Sequence, residues 1–193
     1  MIKKRQIEKQ TIYDSQSNCL LNFVKIKKMK KIIALFIAFA LFSCSKEEKT
    51  TFSKEALSET LLATDGSQVA FNTILKKYEG KTLVIEVWAS WCGDCVKAMP
   101  KIKELQAANP DVAYLFISMD KKVENWKIGI EKHQLIGDHF MANDQMKGVF
   151  GKAIDLDWIP RYIIVDKTGN IVLYRAIETD FDQINATLKK LKE

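Results

Sequence analysis

The chain has 193 residues, 47% of them hydrophobic and 28% charged, with 8 Gly and 3 Pro. This composition excludes collagen-like, low-complexity and wholly disordered readings and leaves room for one ordinary domain of roughly 100–200 residues. The net charge of +6 belongs to the front of the chain: residues 1–44 hold nine Lys and Arg against two acids, whereas the remainder holds 21 against 22. A near-neutral body offers no electrostatic footprint for DNA or RNA, so no nucleic-acid partner is expected.

From Met29 the sequence reads Met29-Lys30-Lys31, then eleven apolar residues from Ile32 to Phe42, then Ser43-Cys44-Ser45-Lys46-Glu47-Glu48. A basic start and a short apolar run describe a secretion signal, because a spanning helix needs about 17–25 apolar residues. Leu41-Phe42-Ser43-Cys44 resembles a bacterial lipobox, with Phe42 bulkier than usual, which makes Cys44 the expected lipidation site. An uncleaved anchor with an incidental Cys is the alternative. Met29 is a second candidate start, and Cys19 upstream of it carries no expected chemistry. The expected organisation is a leader over 1–43, a lipidated Cys and tether over 44–56, and a folded domain over 57–193.

Thr82–Trp88 has strand composition, and a helical stretch runs from about Cys92 to Ala108. Cys92 and Cys95 stand at the junction in Trp91-Cys92-Gly93-Asp94-Cys95. A C-x-x-C there places the first sulfur at a helix N-terminus, where unpaired N–H groups and the macrodipole favour the thiolate that attacks disulfides. The second Cys, one turn on, is placed to resolve the mixed disulfide. A structural bridge is the weaker reading, since so small a loop constrains the unfolded chain little. A zinc site is also disfavoured and no metal is expected, because 37 residues separate Cys95 from His133, far beyond the usual finger spacing.

Downstream, Ala113–Met119 reads as a buried parallel strand, Asp120 as a helix cap and Val123–His133 as a helix. Tyr162–Asp166 and Ile171–Tyr174 read as a hairpin through Lys167–Asn170. Phe181, Ile184, Leu188 and Leu191 mark one face of a terminal helix. His133 and His139 read as helix-end and loop residues, Met141 and Met146 as core or lid residues, and Trp88 as packing.

Glu79–Cys95, with its Gly80-Lys81, hydrophobic strand and Trp88-Ala89-Ser90-Trp91-Cys92-Gly93-Asp94-Cys95, resembles the exported, membrane-anchored thiol–disulfide oxidoreductases of the TlpA/ResA type. The resemblance spans about Leu57 to Leu191. It implies an α/β, thioredoxin-like fold, a central mixed β-sheet flanked by helices on both faces. It implies that Cys92 attacks, that Cys95 resolves, that Pro100 kinks the active-site helix, and that Glu86 is a buried acid assisting proton transfer. It further implies that Pro160 is a cis-proline facing the cysteines, with Ile159 before it pairing with substrate backbone, and that Trp91, Gly93 and Asp94 border the substrate. Asp94 departs from the family's Pro at that position and should disfavour the Cys92 thiolate. Trp158 and Arg161 replace smaller residues and suggest a bulkier, more basic groove.

The function expected is disulfide exchange on protein substrates, most naturally reduction, with no cofactor beyond the Cys92–Cys95 pair. Electrons would come from a membrane donor protein. The place expected is a bacterial membrane, held by lipid and facing the periplasm or the cell surface. A thiol peroxidase is a second reading, though Ile85 and Ala89 occupy the offsets where a peroxidatic Cys usually has Pro and Thr or Ser. A client-binding module without catalysis is a third.

Overall fold

The structure, a computed structural model, describes residues 49–193. The leader and Cys44 lie outside the described residues. In chain order the elements are α1 (Lys54–Ser58), β1 (Thr60–Ala63), β2 (Gln68–Ala70), α2 (Phe71–Lys76), β3 (Leu83–Trp88), α3 (Gly93–Ala108) and β4 (Ala113–Ser118). There follow α4 (Val123–His133), β5 (Asp138–Ala142), α5 (Val149–Ala153), β6 (Arg161–Val165), β7 (Ile171–Ala176) and α6 (Phe181–Lys190).

The strands form one mixed sheet in the order β2-β1-β5-β4-β3-β6-β7. β3 is near its centre, parallel to β4 with Glu86 opposite Phe116, and antiparallel to β6 with Glu86 opposite Tyr162. Every residue of β3 is buried. Because alternate side chains of a strand point to opposite faces, this burial means that both faces of the sheet are covered at its centre. The apolar residues of α3 (Ala98, Met99, Ile102 and Leu105), Trp126 of α4, and Phe181, Ile184 and Leu188 of α6 join the same core.

Three expectations need correction. The folded body begins ahead of Leu57, since Ala56 is fully buried, the Phe52 ring meets that of Phe71 edge-on at 5.0 Å, and Thr50 accepts a hydrogen bond from the Ile171 N–H at 2.8 Å. Polar residues around these contacts disguise them in the sequence. His139 belongs to strand β5, stacked on Phe116 with ring centroids 5.0 Å apart, so it is no loop histidine. Asp120 does not cap α4, whose first turn begins after Lys122 without a side-chain cap. It is a buried acid with partners of its own.

Candidate active site

The active segment leaves the sheet at Trp88 and enters α3 at Gly93, and long-range contacts hold the turn between them. Asp120, buried past the end of β4, accepts hydrogen bonds from the Ser90 N–H at 2.9 Å and the Ser90 hydroxyl at 2.6 Å. The Ser118 hydroxyl donates to the same carboxylate at 2.7 Å. The Met119 N–H donates to the Trp88 carbonyl at 2.8 Å. One carboxylate thus ties the residue two before Cys92 to the end of the neighbouring strand, and no short sequence motif announces it.

Cys92 is the N-cap of α3, and its sulfur accepts from the Cys95 N–H at 3.1 Å. The remaining free N–H groups and the helix dipole at this end favour negative charge on that sulfur. Cys92 and Cys95 are joined as a disulfide, with their Cα atoms 5.3 Å apart. Their access to solvent differs: Cys92 is 6% exposed and Cys95 is 0% exposed. An incoming thiol or disulfide can therefore reach the first sulfur and not the second. α3 continues through Pro100, which lacks the N–H that would close the turn on Val96.

The loop before β6 completes the site. The Ile159–Pro160 peptide bond is cis, and the Ile159 carbonyl oxygen lies 3.5 Å from the Cys92 sulfur. Trp91 is 59% exposed beside Cys92. Gly93 faces open space, and Asp94 pairs with Lys97 across one helical turn at 3.2 Å. Trp158 is exposed, with its indole N–H donating to Glu178 at 3.4 Å. Arg161 is not a cation of the groove, contrary to the expectation of a more basic surface there. It is buried, and its Nη2 donates to Asp157, whose other oxygen accepts from Arg175.

Glu86 is buried on β3, two residues before Trp88, where the active segment leaves the sheet. The Tyr162 hydroxyl donates to its Oε1 at 3.4 Å, and its Oε2 has no hydrogen-bond partner among the described residues. Burial pushes its carboxyl up to about 8, against a smaller opposing effect of the Tyr162 hydrogen bond. Glu86 is accordingly a neutral acid at pH 7. Tyr162, itself pushed upward by burial and then by Glu86, is the partner that sequence reasoning missed. Its signal was register alone, since it stands opposite Glu86 on β6. Among the described residues no group of three or more His, Cys, Asp or Glu side chains is placed to hold a metal ion.

The family model described as Redoxin matches residues 46–188. The chain belongs to the Redoxin family. This redoxin is similar to the thiol-disulfide oxidoreductase ResA of Bacillus cereus, with 25% identity over 167 residues that cover 83% of this chain and 91% of the relative. It is 24% identical over 139 residues to the soluble secreted antigen MPT53 of Mycobacterium bovis, covering 72% of this chain and 76% of that one. Its fold matches a solved thiol-disulfide oxidoreductase from Bacteroides fragilis with a TM-score of 0.58 and 24% identity, over 68% of this chain and 95% of the other. The family match, these relatives and the Cys92–Cys95 bridge identify this redoxin as a thiol–disulfide oxidoreductase of the TlpA/ResA type.

Proposed function

We propose that this redoxin reduces disulfides of other proteins outside the cytoplasm, held to a membrane by lipid on Cys44. The observation that carries the chemistry is the asymmetry of its two sulfurs: Cys92 reaches the surface against the Ile159 carbonyl, and Cys95 is sealed beneath it. In the reduced protein the Cys92 thiolate attacks one sulfur of a substrate disulfide. The other substrate sulfur leaves as a thiolate and takes up a proton, and a mixed disulfide remains. Cys95 gives up its proton and attacks the Cys92 sulfur, which releases the second substrate thiolate. Two electrons have then passed to the substrate, and the protein holds the Cys92–Cys95 disulfide.

The ionised fraction of Glu86, whose carboxyl lies near 8, takes that proton from a thiol whose ordinary pKa is about 8.5, and the neutral form returns one when the reaction runs back. Ile159, as the residue before Pro160, offers its backbone to an extended substrate strand, and Trp91, Gly93 and Asp94 border the approach. The reducing direction is supported by Asp94. A carboxylate between the two cysteines disfavours the Cys92 thiolate, and a less stable thiolate makes the dithiol a better reductant. The chain needs no cofactor beyond its dithiol, and a membrane protein that passes on thiol electrons regenerates it. The Met29–Cys44 pattern, and the description of one relative as a secreted antigen, support the exported location.

Trapping tests the chemistry. With Cys95→Ser a mixed disulfide between Cys92 and a protein substrate accumulates, and with Cys92→Ser neither adduct nor turnover is seen. Turnover by Cys92→Ser would overturn the assignment. Lipid labelling tests the anchor: the label is lost in Cys44→Ser, and its retention there would refute lipidation at that residue.

A further inference from the structure

The cavity beside Trp91 has a chemical character that disulfide exchange by itself does not require. It measures about 580 Å³ and is walled by Trp91, Met119 and Met146, with Lys121, Lys122 and Lys147 around it. The folded body as a whole is balanced, with 20 Lys and Arg and 20 Asp and Glu over residues 49–193, so three lysines here are a local excess. Among the described residues none of the three meets a carboxylate in an ion pair. The one acid in the wall is Asp144, and its carboxylate accepts the Val149 N–H at the start of α5 and forms no ion pair with the three lysines among the described residues. That carboxylate lies so tightly over Gly148 that a Cβ there would fall 1.8 Å from its carbon. Only glycine leaves room for the arrangement, and with three lysines against this one carboxylate the cavity wall keeps a net positive charge.

We propose that this cavity selects the polypeptide flanking the target disulfide, taking a segment that carries an apolar side chain together with carboxylates close to its cysteine. The inference rests on the disulfide-exchange reading and names the substrate class within it. Trp91 adjoins Cys92 in the chain and forms part of the cavity wall, so a chain whose disulfide meets the Cys92 sulfur can place a neighbouring residue against the exposed indole and the partly exposed Met146. The lysines then meet its acids. Each such exposed pair is weak, and three acting together give a preference that salt erodes.

The test uses the full chain, reduced, with two cystine peptides that differ only in carrying Asp and Glu or Lys beside the same Leu-flanked disulfide. The readout is the ratio of kcat/KM for the acidic over the basic peptide, which cancels the chemistry common to both. The expected ratio is roughly tenfold at low ionic strength, falling towards unity in high salt. In a Lys121→Gln, Lys122→Gln, Lys147→Gln variant the ratio falls several-fold, while the basic leader is the same in both proteins. A ratio near one in the parent protein, or one unchanged in the variant, overturns the inference. A small neutral disulfide is turned over alongside. If that is exchanged while the peptides are not distinguished, only the inference fails; if it is not exchanged, the disulfide-exchange reading fails and takes the inference with it.

Discussion

The Cys92 sulfur lies 3.5 Å from the carbonyl oxygen of Ile159, 67 residues further along the chain. This contact joins the start of the active-site helix to the loop that opens β6. It sets the Cys92 sulfur against the residue before the cis-proline, and the residues that precede Cys92 and Ile159 in the chain, Trp91 and Trp158, are both exposed. In the proposed reaction, a substrate strand paired to the backbone at Ile159 is held beside the sulfur that attacks its disulfide, which turns a collision between two chains into a step within one complex.

Glu86 makes the fold sensitive to pH. Its carboxyl ionises near its ordinary value of 4.5 in the unfolded chain and near 8 in the fold. Between those values the folded state holds a proton that the unfolded state has lost, so stability is full below the lower value and falls as pH rises towards about 8, at up to about 1.4 kcal/mol per pH unit. Glu86→Gln keeps the acceptor for Tyr162 and removes the titration. Denaturant unfolding at pH 5 and pH 8 should show a much flatter dependence in the variant, which is the more stable of the two proteins at pH 8. An unchanged slope would mean that Glu86 is already ionised in the fold.

Asp120 is predicted to be worth more than a helix cap. Its carboxylate satisfies three donors from Ser90 and Ser118 in a buried place, and Asp120→Ala leaves them unpaired at a cost of roughly 3 kcal/mol. The expected thermal shift is roughly 10 °C downward, and disulfide exchange slows as well because Ser90 positions the turn into Cys92. A shift within a degree of the parent would show that the three bonds contribute nothing net.

Gly129 sits inside α4, where alanine usually stabilises a helix by about 0.5–1 kcal/mol. Here the sign reverses. A Cβ at this position would stand 2.9 Å from the Trp88 ring and 3.0 Å from the Ser90 Cβ, and Trp88 is fully buried in the core. Gly129→Ala is therefore expected to lose roughly 1–3 kcal/mol through overpacking, measured as a lower denaturation midpoint with unchanged slope. A gain would show that the α4 packing relaxes freely.

The parts of this molecule that were legible in sequence are those where local pattern and tertiary role coincide. Leu83–Trp88 is apolar because it crosses the middle of the sheet, and Cys92 follows it because the strand must turn into a helix. Family resemblance alone pointed to Pro160, since Trp158-Ile159-Pro160-Arg161 carries no local sign of its conformation. The hairpin of β1 and β2 and the strand β5 were not recognised. They are short, and β5 opens on exposed Asp138 and half-buried His139 ahead of its buried Phe140–Ala142, so it lacks the continuous apolar run that marks β4. Asp120 and Arg161 were misread for a common reason: a charged residue at an element boundary reads as exposed, and its burial depends on partners such as Ser90 and Asp157 that local pattern does not reveal. Tyr162 was read as strand and nothing more, because only the register of β6 against β3 brings it to Glu86.

The most direct test of the account is the reduction potential of the Cys92–Cys95 pair in the full chain, equilibrated in thiol redox buffers and followed through the exposed Trp91. A disulfide reductase predicts a value near that of thioredoxin, about −270 mV. A value near that of DsbA, about −120 mV, would make the pair an oxidant and contradict the reducing role.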